Sequence, residues 1–220
     1  FDSMSNLPAA IREDLSGQFT LKTPMVEDRT PPAADLSRKY LFRLGGGELI
    51  ESVYMPMGTR TTFCLSSQAG CAVGCTFCVT GFFGPGRNLS PSEMFGQYRV
   101  LKAENDVPSE KINVVFMGMG EPLLNLTHLL TTLEILYKEI SPRRVTVSTS
   151  GITPGIEALA DLPIRPNLAL SVNAPDKERR EQIMPITRKY PLGELIATLR
   201  NYPEERGQQI TAEYVLLEGL

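Results

Sequence analysis

From Ser90 onward, short apolar runs of strand length alternate with segments of helical periodicity, and this alternation restricts the possible folds more than any other feature. Ser90-Pro91-Ser92-Glu93 has the form of a helix start: serine as N-cap, proline at the first helical position, glutamate placed for a capping box. Met94, Tyr98 and Leu101 then recur on one helical face. Ile112–Met117 is a nearly continuous apolar run, as expected of a parallel strand covered on both sides. Leu126, Leu129, Leu130, Leu133, Leu136 and Ile140 trace the next helix. Val145–Ser148, Leu168–Val172 and Gln209–Leu217 read as further strands. Helices are expected to start at Thr153-Pro154, to span Lys177–Met184, and to include Leu195, Ile196 and Leu199. Strands joined by right-handed helical crossovers close into a full or partial α/β barrel, or open into a doubly wound sheet.

Upstream the pattern changes. Leu7, Ile11 and Leu15 stand at helical spacing with Gly17 as a stop, and the proline-bearing stretch from Pro24 to Pro32 reads as a linker. Lys39–Leu44, a Gly45-Gly46-Gly47 turn and Glu48–Tyr54 then form an antiparallel pair, and Met57-Gly58 turns the chain into Thr61–Leu65. Hydrophobic content of 42% and charged content of 21% are ordinary for a globular chain, and no apolar run is long enough to span a bilayer. With no export signal either, the expected location is the cytoplasm, where clustered thiols stay reduced. The net charge of −3 gives no electrostatic signature for nucleic acid. The basic pairs Arg143–Arg144, Arg179–Arg180 and Arg188–Lys189 read as solvated helix ends.

Chemistry enters with Cys71, Cys75 and Cys78, spaced C-x3-C-x2-C with Phe77 before the last. Three thiolates so placed can hold three irons of a [4Fe–4S] cluster and leave the fourth open to a small molecule. A structural zinc site that adds Cys64 is the alternative. Zinc sites usually pair two C-x2-C knuckles, however, and only one exists here. The only histidine, His128, lies far off in an expected helix. A disulfide framework belongs to small secreted chains. The spacing therefore favours the open cluster.

The remaining candidates lie where expected strands end, the usual place for ligands in α/β folds. Gly118-Met119-Gly120-Glu121-Pro122 follows one strand; its glycines allow close backbone approach, and Glu121 could accept hydrogen bonds from a ligand ammonium group. Ser148-Thr149-Ser150-Gly151 and Ser171-Val172-Asn173 close the next two strands. Glu51 by itself reads as a solvated residue of a strand face, and Cys64 as a small buried hydrophobe.

The segments FCLSSQAGCAVGCTFCVTGFFGPGRNLSPSEMFGQ (63–97), VVFMGMGEPLLN (114–125) and RRVTVSTSG (143–151) together resemble radical S-adenosylmethionine (SAM) RNA methyltransferases of the RlmN/Cfr type. The resemblance extends from NLPAAIRE near the start to ITAEYVLLEGL at the end. It implies a partial (β/α) barrel of the radical SAM class over residues 33–220, preceded by a short antiparallel meander. Residues 1–32 would be the remnant of a helical accessory domain plus its linker. It implies a [4Fe–4S] cluster on Cys71, Cys75 and Cys78, and SAM contacts at Gly120, Glu121, Ser148, Ser171, Val172 and Asn173. Glu51 matches a proton acceptor, and Cys64 the disulfide partner of a second, methyl-carrying cysteine.

The implied reaction is C2-methylation of an adenosine in 23S rRNA, and in tRNA, through a methyl-cysteine intermediate. Pro122-Leu123-Leu124-Asn125 fits this C2 branch better than the C8-specific one. The implied partners are those RNAs and an electron donor of the flavodoxin or ferredoxin kind, acting on a monomer without membrane attachment. Rival readings are another radical SAM enzyme, and a zinc-stabilised RNA-binding module without catalysis. No cysteine follows Cys78, so the resemblance also implies a fragment cut at both ends, without the second cysteine and inactive by itself. Asn173 stands where many relatives have histidine.

Overall fold

The computed structural model describes residues 1–20, 23–203 and 208–218. The chain opens with helix α1 (Ala9–Gln18) and four strands, β1 (Met25–Arg29), β2 (Arg38–Arg43), β3 (Leu49–Met57) and β4 (Arg60–Cys64). Two short strands follow, β5 (Gln68–Ala69) and β6 (Arg87–Asn88), and then α2 (Pro91–Glu104) and β7 (Ile112–Phe116). The rest alternates: α3 (Leu126–Leu136), β8 (Val145–Thr149), α4 (Thr153–Ala160), β9 (Asn167–Ser171), α5 (Lys177–Ile183), α6 (Leu192–Arg200) and β10 (Ile210–Glu213).

Local chemistry sets several of these bounds. At α2, Ser90 accepts from the Glu93 amide and Glu93 reaches back to the Ser90 amide, so the capping box forms with Pro91 at the first position. At α5, the Asp176 side chain accepts from the Arg179 amide. One expectation fails. The stretch read as a linker contains β1, which pairs antiparallel with β2 from Met25↔Arg43 to Arg29↔Tyr40. Its sequence, MVEDR, shows no alternation, and prolines flank it. An edge strand can be held by backbone pairing on one side alone.

The main sheet runs β1-β2-β3-β4-β7-β8-β9-β10. Pairing is antiparallel as far as β4 and parallel from β4 onward. Each parallel strand lies beside its predecessor, so successive crossovers of one hand put every helix on the same face. A doubly wound sheet would reverse its order partway and cover both faces. This sheet is therefore a partial barrel, not closed, as the sequence led us to expect.

The outward face carries the core. Phe63, Ile112, Val114, Phe116, Val145, Val147, Leu168 and Leu170 pack in one cluster with Met94, Tyr98 and Leu101 of α2, Leu129, Leu133 and Leu136 of α3, Ile156 and Leu159 of α4, and Leu195 of α6. The alternate residues point the other way and, Val115 apart, are small or polar. Register aligns Thr62 with Asn113, Thr146 with Asn167, and Ser171 with Glu213, all half-buried. A closed (β/α) barrel fills its interior with bulky branched residues. This inner face is instead built to meet polar groups.

Candidate active site

The parallel strands deliver their C-terminal ends to one cleft of about 370 Å³. Cys71, Cys75 and Cys78 line it together with Gly118, Gly120, Glu121, Ser148, Ser171, Asn173 and Glu213. Of the residues implicated by the sequence, Val172, Glu51 and Cys64 are not among its lining.

The cysteines sit on a loop closed at its base by β5 and β6, which pair Gln68↔Asn88 and Ala69↔Arg87. Gly86, at φ +56°, makes that closure possible, because a Cβ there would lie 1.4 Å from the Ala69 carbonyl oxygen. Inside the loop the Cys71 amide donates to the Gly84 carbonyl at 2.9 Å. The Thr76 amide donates to the Ile183 carbonyl at 2.9 Å and moors the loop on α5. The thiols of all three are free. Burial pushes the Cys71 and Cys75 thiols up, Cys75 to about 12, and the negative charge of Glu121 and of neighbouring thiolates adds to this. At neutral pH they are protonated without metal, so binding iron must release protons. Among the described residues, no three His, Cys, Asp or Glu side chains converge on one point to ligate a single metal ion. A cubane takes one thiolate for each of three irons, so it needs three thiols along one wall. The donor set fits that group.

Glu121 is wholly enclosed. Its carboxylate accepts from the Ser150 amide and hydroxyl, each at 2.7 Å, and from the Leu123 amide at 3.1 Å. Desolvation raises its affinity for a proton, and these donors oppose the rise. A carboxylate has about four lone-pair sites. Most of them are taken by the chain itself.

The two glycines before Glu121 also serve the chain. A Cβ on Gly118 would meet the Ser66 hydroxyl at 2.7 Å, and one on Gly120, at φ +97°, the Gln68 Cβ at 2.5 Å. The close approach expected toward a ligand is made first to the loop after β4. The Ser66 hydroxyl accepts from the Met119 amide at 2.8 Å, and the Gln68 side-chain oxygen from the Glu121 amide at 2.8 Å.

Ser148 and Ser171 converge on a residue that the sequence did not single out. The Ser148 hydroxyl donates to Glu213 at 2.9 Å, and the Ser171 hydroxyl reaches the same oxygen at 3.4 Å. The only signal was register: Glu213 is the charged residue on β10, opposite Ser171. Asn173 adopts φ +60°, a left-handed conformation that asparagine tolerates better than most residues. Its side-chain oxygen accepts from the Val215 amide at 3.0 Å.

Cys64 closes β4 and is buried, and burial raises its thiol to about 11. Glu51 is half exposed, with Lys39 at 3.7 Å. Its backbone is tied to the glycine loop, since its amide donates to the Met119 sulfur and its carbonyl accepts from Ser66. The Arg179–Arg180 pair is split: Arg179 is exposed as expected, whereas Arg180 is fully buried. Among the described residues no helix is long and apolar enough to cross a membrane.

This geometry has close counterparts among known proteins. The family model for the Radical SAM superfamily matches residues 65–220. The chain is 45% identical over 226 residues to "Probable dual-specificity RNA methyltransferase RlmN" of Gemmatimonas aurantiaca, covering all of this chain and 61% of that protein. It is 38% identical over 238 residues to "Dual-specificity RNA methyltransferase RlmN" of Nitratiruptor, covering 67% of that protein. A crystal structure of a radical SAM methyltransferase from Sphaerobacter thermophilus superposes with a TM-score of 0.91 at 40% identity, covering 99% of this chain and 65% of the other. The chain thus spans about three fifths to two thirds of the length of the relatives it matches.

Proposed function

Because the chain belongs to the radical SAM superfamily and, within it, to the RlmN type, we propose that its cleft serves the C2-methylation of an adenosine in 23S rRNA and in tRNA. One observation carries the proposal. The three free thiols and the ends of four parallel strands, with their hydroxyls and carboxylates, line a single cleft on the polar face of the sheet.

Cys71, Cys75 and Cys78 would hold the cluster, with SAM beside it over Gly120, Glu121, Ser148, Ser171 and Asn173. Bound together, the two supply one-electron reductive cleavage of a carbon–sulfur bond, the chemistry needed to functionalise an electron-poor ring carbon. The chain's part is placement. Ser148 and Ser171 point their protons at Glu213, which leaves their oxygens free to accept from a ligand hydroxyl such as a ribose diol. Val172 lies behind this surface, and its carbonyl accepts from Arg180 at 3.0 Å. Glu51, exposed and with its backbone amide on the Met119 sulfur of the glycine loop, would take the proton that leaves the adenine carbon. Cys64 is a protonated, shielded thiol at neutral pH, suited to reacting late as the partner of a second cysteine. An electron donor of the flavodoxin or ferredoxin kind completes the scheme.

The test is anaerobic reconstitution with iron and sulfide, followed by electron paramagnetic resonance of the reduced protein with and without SAM. A [4Fe–4S]⁺ signal that shifts on adding SAM supports the reading; stoichiometric zinc without iron removes it. For the substrate, the complete gene whose product includes this chain is expressed in a host lacking its own enzyme, and RNA nucleosides are analysed by mass spectrometry. Restored 2-methyladenosine supports the C2 assignment, and 8-methyladenosine would overturn it.

A further inference from the structure

Arg180 is the largest wholly buried side chain among the described residues. A buried guanidinium is usually neutralised by a carboxylate. Here its hydrogen bonds run to neutral oxygens: the Val172 and Ser171 carbonyls at 3.0 Å each, the Ser150 carbonyl at 2.5 Å and the Thr187 hydroxyl at 2.7 Å. The ion pairs of α5 among the described residues join Lys177 and Arg188 to Glu181, and Arg179 to Asp176; none uses Arg180.

The helix that carries this cation, α5, packs against the cysteine loop. Cys75 packs against Ala174, Ile183 and Met184, which surround α5, and the Thr76 amide is bonded to Ile183. The cleft wall is negative when the thiols ligate: three thiolates and the Glu121 carboxyl line it together.

We infer that Arg180 is a positioning residue for charge: fixed by the ends of β8 and β9 on the helix against which the Cys75 loop packs, it raises the reduction potential of the iron–sulfur cluster. The inference rests on the reading of Cys71, Cys75 and Cys78 as cluster ligands. Reduction takes [4Fe–4S]²⁺ to [4Fe–4S]⁺ by one electron from an external low-potential donor. The added negative charge is stabilised by a fixed positive charge in a medium of low polarity, and net charge near a cluster is one of the main determinants of its potential.

The experiment is a redox titration of the reconstituted protein, with dithionite as reductant and the paramagnetic reduced cluster as readout, on the parent, Arg180→Lys and Arg180→Gln. If Arg180→Gln does not fold, Arg180→Met takes its place, since it buries a neutral chain of similar length without unpaired donors. At the parent's midpoint, the neutral variant should show a reduced-to-oxidised ratio at least tenfold lower, about 59 mV for one electron. Arg180→Lys should stay within about twofold of the parent. A neutral variant that titrates with the parent overturns the inference. So does a lysine variant that falls as far as the neutral one, because the lost hydrogen-bonding fork, not the charge, would then be responsible. A parent that binds no iron overturns the functional reading beneath it as well, and that failure shows before any variant is compared.

Discussion

Ser150 gives both its backbone amide and its hydroxyl to one carboxylate oxygen of Glu121, each at 2.7 Å. The bond fastens the end of β8 to the turn after β7, so the two strand ends form one continuous wall of the cleft. On its other side, Ser150 presents its carbonyl to Arg180. A single residue thus joins the wall's buried acid to its buried cation.

Glu121→Ala should destabilise the protein by roughly 3 kcal/mol, because three enclosed donors lose their acceptor at about 1–3 kcal/mol each while the cost of burying a carboxylate is relieved. Glu121→Gln should cost less, about 1 kcal/mol, since its oxygen can still serve Ser150 and only the Leu123 amide is left facing an NH₂ group. Urea unfolding of the two variants checks the order; equal losses would mean that the carboxylate oxygen facing Ser150 contributes nothing.

Gly86→Ala should prevent iron uptake while the outer core still folds. The added methyl would overlap the Ala69 carbonyl and pry β5 from β6, which together set the cysteine loop. The β7–β9 sheet and its helices lie elsewhere and should keep their far-ultraviolet circular dichroism. Iron content after reconstitution, about four per chain in the parent, is the measurement.

Arg87 reaches Glu48 and Glu93 at 2.7 Å each and bridges the β2–β3 hairpin to the start of α2. Its hydrogen bonds hold Glu48 at about 2, and they also lower Glu93 against the opposing effect of burial. Both carboxylates therefore add stability that is fully present above the ordinary value of 4.5 and is lost as pH falls toward 2. Arg87→Met should be less stable than the parent by a constant margin from pH 7 to about 5, and the gap should close below 4.5. Urea titrations across that range would expose a margin that widens in acid, which would refute the assignment.

Glu213→Ala should weaken SAM binding by about five- to tenfold, since the Ser148 and Ser171 hydroxyls lose the acceptor that aims them. Glu213→Gln, which keeps an acceptor oxygen, should recover most of the affinity. Isothermal titration of the reconstituted protein with SAM distinguishes aiming from mere packing, because a packing role would leave affinity unchanged at equal stability.

Much of this was legible where the signal is local. The capping box at Ser90 and Glu93, the strands β7, β8 and β9, and the cysteine loop are each written in a few consecutive residues. Contacts made across the fold were harder to read. Glu121 and Ser150 were both candidates, yet nothing in either segment says that they bind each other. Arg180 looked like half of a solvated basic pair, and Glu213 like part of an ordinary strand. β1 was hidden because its pairing uses the backbone, which every sequence possesses.

Sequence by itself determined the element types from β2 onward, the parallel crossovers and the spacing of the three thiols, because periodicity, capping and loop chemistry act over a few residues. Tertiary structure decided which strand ends meet, which acid and which arginine lose their water, and which glycines face the chain rather than a ligand. Those outcomes depend on residues about 30 to 65 positions apart sharing one enclosed space. Burial there converts an unremarkable arginine or glutamate into a group whose partners must be supplied by the fold.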